Sequence, residues 1–297
     1  LPMEGSSLEG VILNVDFLKN CGMGKATGMG KKVIVLGGGN VAFDCARSAK
    51  RLGAEEIHVA CLEAREHMTA DEEEIQQAVE EGIMIHPAQT FERITGTGHV
   101  TGVDFMNVKS FTFDENHRAV IHREENSEHH IEADTVIFAV GQRPDITEEA
   151  GLALGRGNSI AVRDIETDKA TSVDGIFAAG DAIYGTKSVI MAIESGREAA
   201  AQIDQYLGGN GDISEKLAPE QKPDAYIGIC EGFGYMQRKN RCIDSPESRC
   251  NNFELFDHGI CDSDICAEAG RCLQCDLRLQ ISKPRVWGDY AEGKEEK

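Results

Sequence analysis

Lys31-Lys32-Val33-Ile34-Val35-Leu36-Gly37-Gly38-Gly39-Asn40-Val41-Ala42 is the stretch whose reading decides the fold. Val33 to Leu36 form a continuous apolar run, as a strand covered on both faces requires. Gly37, Gly39 and Ala42 then follow the G-x-G-x-x-G/A spacing. The first glycine allows a tight turn, the second lets backbone approach a diphosphate, and the small third residue lets a helix sit against the strand. Val41, Ala42, Cys45, Ala46, Ala49 and Leu52 recur at helical spacing, and Gly53 stops the helix. Its first turn offers free N–H groups and a positive dipole end, so the backbone of Gly38, Asn40 and Val41 is a candidate diphosphate cradle. Such a spacing alone is a weak signal, because glycine turns also serve packing. Here a second strand, residues 56–62, completes a βαβ unit and ends in Glu63, 24 residues past Gly39, where an acid meets a ribose 2′-hydroxyl.

Composition bounds the remaining classes. The 297 residues and 41% apolar content suit two domains or one large one. Acids outnumber bases 51 to 30, a net charge of −21 that repels phosphate polymers and argues against a nucleic-acid partner. The residues show no secretory leader pattern, no lipidation motif and no apolar run long enough to span a bilayer, so no membrane partner is expected. Seven of the ten cysteines lie between Cys230 and Cys275, which reads as metal-ligand chemistry in a reducing, cytoplasmic compartment. The chain opens on Leu1 and is expected to be cut from something longer.

Taken in order, residues 1–30 hold only short apolar runs, Val11-Ile12-Leu13 and Phe17-Leu18. Thr69 with Glu72 reads as a capping box opening a helix that carries Ile75, Ala78 and Val79. Residues 91–94, 100–108, 119–123 and 130–133 read as antiparallel strands, a β-meander set into a doubly wound domain. His129 and His130, adjacent on a strand, point to opposite faces and read as surface residues. Residues 134–141 return as a buried parallel strand, 159–162 as a small strand, and 175–182 as a strand ending in Gly180-Asp181. A helix over 188–207 should turn Val189, Ile193, Ala200, Ile203 and Leu207 inward, with Gly196 marking a close backbone approach. Residues 208–224 read as a linker, 225–290 as a cysteine-rich tail and 291–297 as disordered.

Together these motifs resemble the small (β) subunit of glutamate synthase. They are Gly37-Gly38-Gly39-Asn40-Val41-Ala42-x-Asp44-x-Ala46-Arg47, Asp134-Thr135-Val136-Ile137-x-Ala139-x-Gly141-Gln142-x-Pro144-Asp145, Gly180-Asp181-Ala182, Ala192-Ile193 and Gly196-Arg197-x-Ala199-Ala200. Glu268-Ala269-x-Arg271-Cys272-Leu273-x-Cys275-Asp276 adds a shorter match. The resemblance implies an α/β protein of the two-dinucleotide-binding flavoprotein type. A Rossmann-like NAD(P)H domain with its meander (residues 31–141) would sit within a partial FAD domain (residues 1–30 and 142–207), followed by the cysteine-rich tail. It implies a nicotinamide site including Val140 and Gly141. It also implies an FAD site in which the Asp181 carboxylate accepts from the ribityl chain and the amides of Ser188, Val189 and Ile190 face the reduced flavin. Two features depart from the family. Its first FAD motif and its N-terminal iron–sulfur domain are absent from this stretch. NADPH-using relatives tend to carry two arginines where this chain has Leu62-Glu63; like-charge repulsion between Glu63 and a 2′-phosphate favours NAD(H) over NADP(H), softened by nearby Arg65.

Cys261-x4-Cys266-x5-Cys272-x2-Cys275 supplies four thiolates, enough for a [4Fe–4S] cluster or for zinc, with Cys230, Cys242 and Cys250 as alternative ligands. The expected chemistry is electron flow from NAD(P)H through FAD to iron–sulfur centres or a partner subunit, with no acid–base side chain required. Two other readings stay open. A disulfide reductase would need a poised cysteine pair, and residues 31–141 hold only Cys45 and Cys61. A non-catalytic nucleotide-binding or assembly module would need neither.

Overall fold

The computed structural model describes residues 3–113, 119–146, 151–214 and 231–275. They fall into two units, one of residues 1–214 with 246–253, the other of 215–245 with 254–297. Cys230, most of the expected linker and the terminal residues lie outside the described residues.

In the first unit the chain runs β1 (Val11–Leu13), α1 (Asn14–Gly22), β2 (Lys32–Leu36), α2 (Asn40–Arg51), β3 (Glu56–Ala60), α3 (Glu72–Glu80) and β4 (Met84–His86). The meander follows: β5 (Gln89–Thr97), β6 (His99–Phe113), β7 (Ala119–Arg123) and β8 (His129–Glu132). Then come β9 (Thr135–Phe138), β10 (Val162–Asp164), β11 (Asp168–Thr171), α4 (Asp181–Tyr184), α5 (Val189–Tyr206) and α6 (Pro246–Arg249). Five strands pair in parallel in the order β1-β9-β2-β3-β4. The sheet therefore takes in Val11–Leu13, upstream of the boundary expected at residue 31.

Alternate residues of each central strand feed two cores, as strand geometry demands. Val33, Val35, Ile57 and Val59 meet Phe17, Phe43, Ala46, Ile75 and Ala78 on the helical side. Ile34, Leu36 and Ala60 meet Ile94, Val103 and Phe105 of the meander. That double cover is why β2 is apolar at every position from Val33 to Leu36. Each large side chain so buried contributes about 1.5–3 kcal/mol.

Charge also stitches this unit. The Glu81 carboxylate, 0% exposed, accepts from Arg47 and Arg51 of α2 and from Arg249 of α6 at 2.8–3.0 Å. Burial opposes its ionisation, but the arginine hydrogen bonds outweigh it and hold its pKa below the usual carboxylate range. Residues 246–253 of the expected tail thus belong with the first unit.

Several expectations need correction. Helix α3 starts at Glu72 with Asp71, not Thr69, in the capping position; the Asp71 side chain accepts from Asn40 Nδ2 instead of capping. Residues 175–182 form no strand: among the described residues only Phe177 bridges, to Ala170, and the chain turns at Gly180 (φ 64°) into α4. The strand expected at 159–162 lies at 162–164, with Ile160 in an isolated bridge to Leu154. Helix α5 forms, but its buried residues are Ser195 and Ala199; Val189 is 76% and Ile193 59% exposed, and Ala200, Ile203 and Leu207 also face outward. A Cβ at Gly196 would meet nothing within 4 Å, so no close approach explains that glycine.

The second unit contains α7 (Asp262–Gly270) and a short antiparallel bridge, Ile243 to Asp257.

Candidate functional site

Because α2 follows β2 directly, the turn between them sits at the carboxyl end of the parallel sheet, where α/β proteins bind ligands. A cavity of about 540 Å³ opens there, within the usual range for small-molecule sites. It brings together Gly37, Gly38, Gly39, Asn40, Val41, Glu63, Val140 and Gly141, eight of the residues singled out from sequence.

The glycines are required for two different reasons. Gly37 has φ 143°, and a side chain there would run into the Ala139 carbonyl oxygen of the neighbouring strand. A Cβ on Gly38 would come within 2.8 Å of the Cys61 side chain and 3.2 Å of the Glu63 carboxylate. The acid expected on the ribose is therefore held beside the turn expected on the diphosphate. Gly39 is the N-cap of α2, and its carbonyl accepts from Ala42 N–H at 2.9 Å. The earlier amides of the turn have no intrahelical acceptor. The Asn40 side chain is committed elsewhere: it donates to Asp71 Oδ2 (3.1 Å) and accepts from Asp71 N–H (2.8 Å), fixing the start of α3 against the turn. Arg65 is off the cavity, its guanidinium 2.6 Å from Glu72. Cys61 is buried on the cavity wall, and loss of solvation pushes its thiol up to about 12, with Glu63 adding to the rise.

The second group lies in the connection to α5. Gly180 N–H donates to the buried Ser195 hydroxyl (3.1 Å), and Asp181, exposed, opens the four-residue α4. Ser188 caps α5, its hydroxyl accepting from Met191 N–H at 3.3 Å, and Val189 and Ile190 stand exposed after it. Thr186 and Lys187, between these two features, line the same cavity as the glycine turn.

Sequence reasoning missed Asn14, Phe91, Thr186 and Lys187 on this cavity. Asn14 had a usable signal: it is the polar residue closing the run Val11-Ile12-Leu13, and polar residues at carboxyl ends of parallel strands point to the crevice.

The cysteine prediction finds less support. Among the described residues no three His, Cys, Asp or Glu side chains gather so as to hold a metal ion. Cys261 instead lies 2.9 Å, sulfur to sulfur, from Cys242. Cys266, Cys272 and Cys275 are exposed free thiols, and Cys272 sulfur accepts from Gln274 N–H at 3.4 Å. His129 stacks on Phe105 and His130 pairs with Asp104 at 2.7 Å. No described helix is long and apolar enough to cross a membrane.

A parallel sheet with a meander, a glycine turn at its carboxyl edge, and a Gly180-Asp181 turn leading to a loop (Thr186-Lys187) that lines the same cavity fit the two-dinucleotide-binding flavoprotein type. The structure of FprA from Mycobacterium tuberculosis in complex with NADPH shares this fold at 14% identity, with a TM-score of 0.55 over 70% of this chain and 61% of that one. Residues 1–196 match the pyridine nucleotide-disulphide oxidoreductase family, and the chain belongs to it. Over 285 residues it is 31% identical to the NADP(+)-dependent formate dehydrogenase subunit beta of Moorella thermoacetica, covering 92% of this chain and 40% of that protein. Over 232 residues it is 32% identical to the glutamate synthase [NADPH] small chain of Azospirillum brasilense, covering 73% and 48%. The chain thus spans less than half the length of these two relatives.

Proposed function

We propose that this chain binds a nicotinamide dinucleotide in the cavity at the α2 turn and takes part in passing electrons from NAD(P)H through FAD to an electron-accepting partner subunit or iron–sulfur protein. One observation carries the reading: the glycine turn, Glu63, the 140–141 backbone and the 186–187 loop all converge on one cavity. Family membership and the two oxidoreductase relatives agree with it. When bound, a reduced nicotinamide supplies a hydride and a flavin accepts it and can release single electrons.

The chain's own residues bind and orient. Amides of Gly38, Gly39, Asn40 and Val41 would hold the diphosphate at the positive end of α2. Glu63 would accept from the adenosine ribose hydroxyls, favouring NAD(H) over NADP(H); the two relatives are named for NADP(+) and NADPH, and Arg65, now paired with Glu72, is the cation closest in sequence to offset a 2′-phosphate. Backbone at Val140 and Gly141 would border the nicotinamide. Asp181 would accept from the ribityl hydroxyls, with the amides of Ser188, Val189 and Ile190 facing charge on the reduced ring. Residues 31–141 as nicotinamide domain and 142–207 as FAD-domain segment follow from this assignment; β1 extends the former upstream. Cys261, Cys266, Cys272 and Cys275 stay candidates for a [4Fe–4S] cluster or zinc. Their described arrangement does not assemble one. A cytoplasmic location goes with this chemistry.

A disulfide reductase is less well supported. Cys45 and Cys61, the two thiols of the nucleotide domain, are both buried and both pushed up to about 12 by loss of solvation. The deciding experiment is a visible spectrum of the purified chain reconstituted with FAD, before and after anaerobic NADH. Flavin bands that bleach support electron transfer. A chain that binds NADH but never retains flavin supports the nucleotide-binding module, and one that binds neither contradicts the proposal.

A further inference from the structure

We infer that Asn14 is a positioning residue for the nicotinamide ring, its carboxamide pairing with the carboxamide of the ligand; this rests on the dinucleotide reading above. Asn14 is 4% exposed, yet it makes no hydrogen bond through its side chain to any described residue. It lines the cavity at the glycine turn. Gln77 and Gln89 have carbonyl oxygens sealed from solvent without a partner; the polar atoms of Asn14 are not sealed in this way, so they retain an opening. Folded proteins seldom bury an amide unpaired, and one that faces a cavity is suited to pair with what fills it.

Strand order assigns which part of the ligand it meets. Asn14 directly follows β1, which lies beyond β9 from the glycine turn. Leu13 is in register with Phe138, so Asn14 comes level with Ala139, just before Val140 and Gly141. Glu63, the ribose acid, stands on the opposite side of the turn, after β3. A dinucleotide whose diphosphate lies over the turn and whose adenosine runs toward Glu63 must send its nicotinamide half toward β9 and β1. A primary carboxamide there offers N–H donors beside a carbonyl acceptor, the complement of a nicotinamide carboxamide. Gln142, Thr186 and Lys187 also line the cavity but are exposed, and lose less by pairing with water.

The test measures binding to the full chain of NADH, of ADP-ribose, which lacks the nicotinamide, and of reduced 3-acetylpyridine adenine dinucleotide, in which a methyl replaces the carboxamide NH2. Asn14→Leu should weaken NADH about tenfold and leave ADP-ribose within about twofold. The wild type should prefer NADH over the acetylpyridine analogue by several-fold, and Asn14→Leu should lose that preference. Equal losses for NADH and ADP-ribose, or no loss for either, would overturn the inference while leaving the site intact. A folded wild type that binds neither NADH nor ADP-ribose would overturn the dinucleotide reading itself. Should Asn14→Leu fail to fold, the wild-type preference decides alone: indifference to the carboxamide rejects the role.

Discussion

The sheet built from residues 11–139 and the segment of residues 151–207 are both apolar in sequence, yet they treat their apolar residues in opposite ways. In the sheet, Val33, Ile34, Val35 and Leu36 are all 0% exposed, enclosed by helices on one side and the meander on the other. In the later segment, Val189, Ile190, Ile193 and Leu207 are 59–77% exposed, and α5 buries only Ser195 and Ala199. Periodicity finds a face that is apolar. It does not say that the described chain covers it. The cavity belongs chiefly to the enclosed region, whose packing holds the glycine turn at the positive φ of Gly37.

The largest expected effect contrasts the buried ions of the two regions. Glu81 is shared by three guanidiniums and 0% exposed, whereas Lys169, also 0% exposed, pairs with a Glu198 carboxylate that is 44% exposed. Glu81→Ala should cost about 3–5 kcal/mol in urea unfolding, because the arginines lose their common counter-ion in a site water does not reach. Glu198→Ala should cost about 1 kcal/mol or less, since Lys169 keeps the Ile165 carbonyl (2.6 Å) and the Tyr184 hydroxyl (3.1 Å). Equal losses would break the contrast.

Apolar truncation gives the next test. Leu36→Ala should cost about 2–5 kcal/mol by opening a cavity under the meander. Ile193→Ala should stay within about 0.5 kcal/mol. An Ile193→Ala loss as large as that of Leu36→Ala would mean that α5 is covered in solution.

Ligand selection is expected from the enclosed region alone. Glu63→Gln should raise NADPH affinity relative to NADH about tenfold, near 1.4 kcal/mol, by removing the charge facing a 2′-phosphate. Asp181→Asn should leave that ratio unchanged. Competition binding with both nucleotides separates the two variants.

The smallest effect is on pH dependence. His86 is held below its usual pKa of 6.5 by burial first, and then by His58 and His129. Its ring accepts or donates at 2.8 Å to His58, whose other nitrogen is 3.0 Å from Glu56; Lys32 lies between Glu56 and Glu132 in the same patch. Below pH 6.5 the unfolded chain takes up the His86 proton more readily than the folded one, so stability falls as pH drops through that value toward the folded pKa. His86→Gln should flatten this slope by less than about 1 kcal/mol. An unchanged slope from unfolding curves at pH 7 and below would assign it elsewhere.

Legibility from sequence followed the same division. The β2 turn and α2 were legible because local apolar spacing and three glycines specify them within twelve residues, and the meander because its strands alternate between polar turns. Glu63 was legible by its distance from the turn, and it does reach the Gly38 side of the cavity. The strand expected at 175–182 was not recoverable, because a strand exists only where a neighbour supplies a ladder of hydrogen bonds, and among the described residues β11 gives this stretch a single bridge, through Thr171 N–H to the Ile176 carbonyl and Ala178 N–H to the Lys169 carbonyl. Docking of Arg249 was hidden for another reason: its partner Glu81 is 168 positions away, and no local spacing links the two.

The claim beneath all of this is that the amides opening α2 hold a diphosphate. A crystal structure of the chain grown with NADH tests it most directly. The account predicts diphosphate oxygens about 3 Å from the N–H groups of Gly39, Asn40 or Val41. Density showing NADH bound elsewhere, with those amides facing solvent or protein, would contradict it.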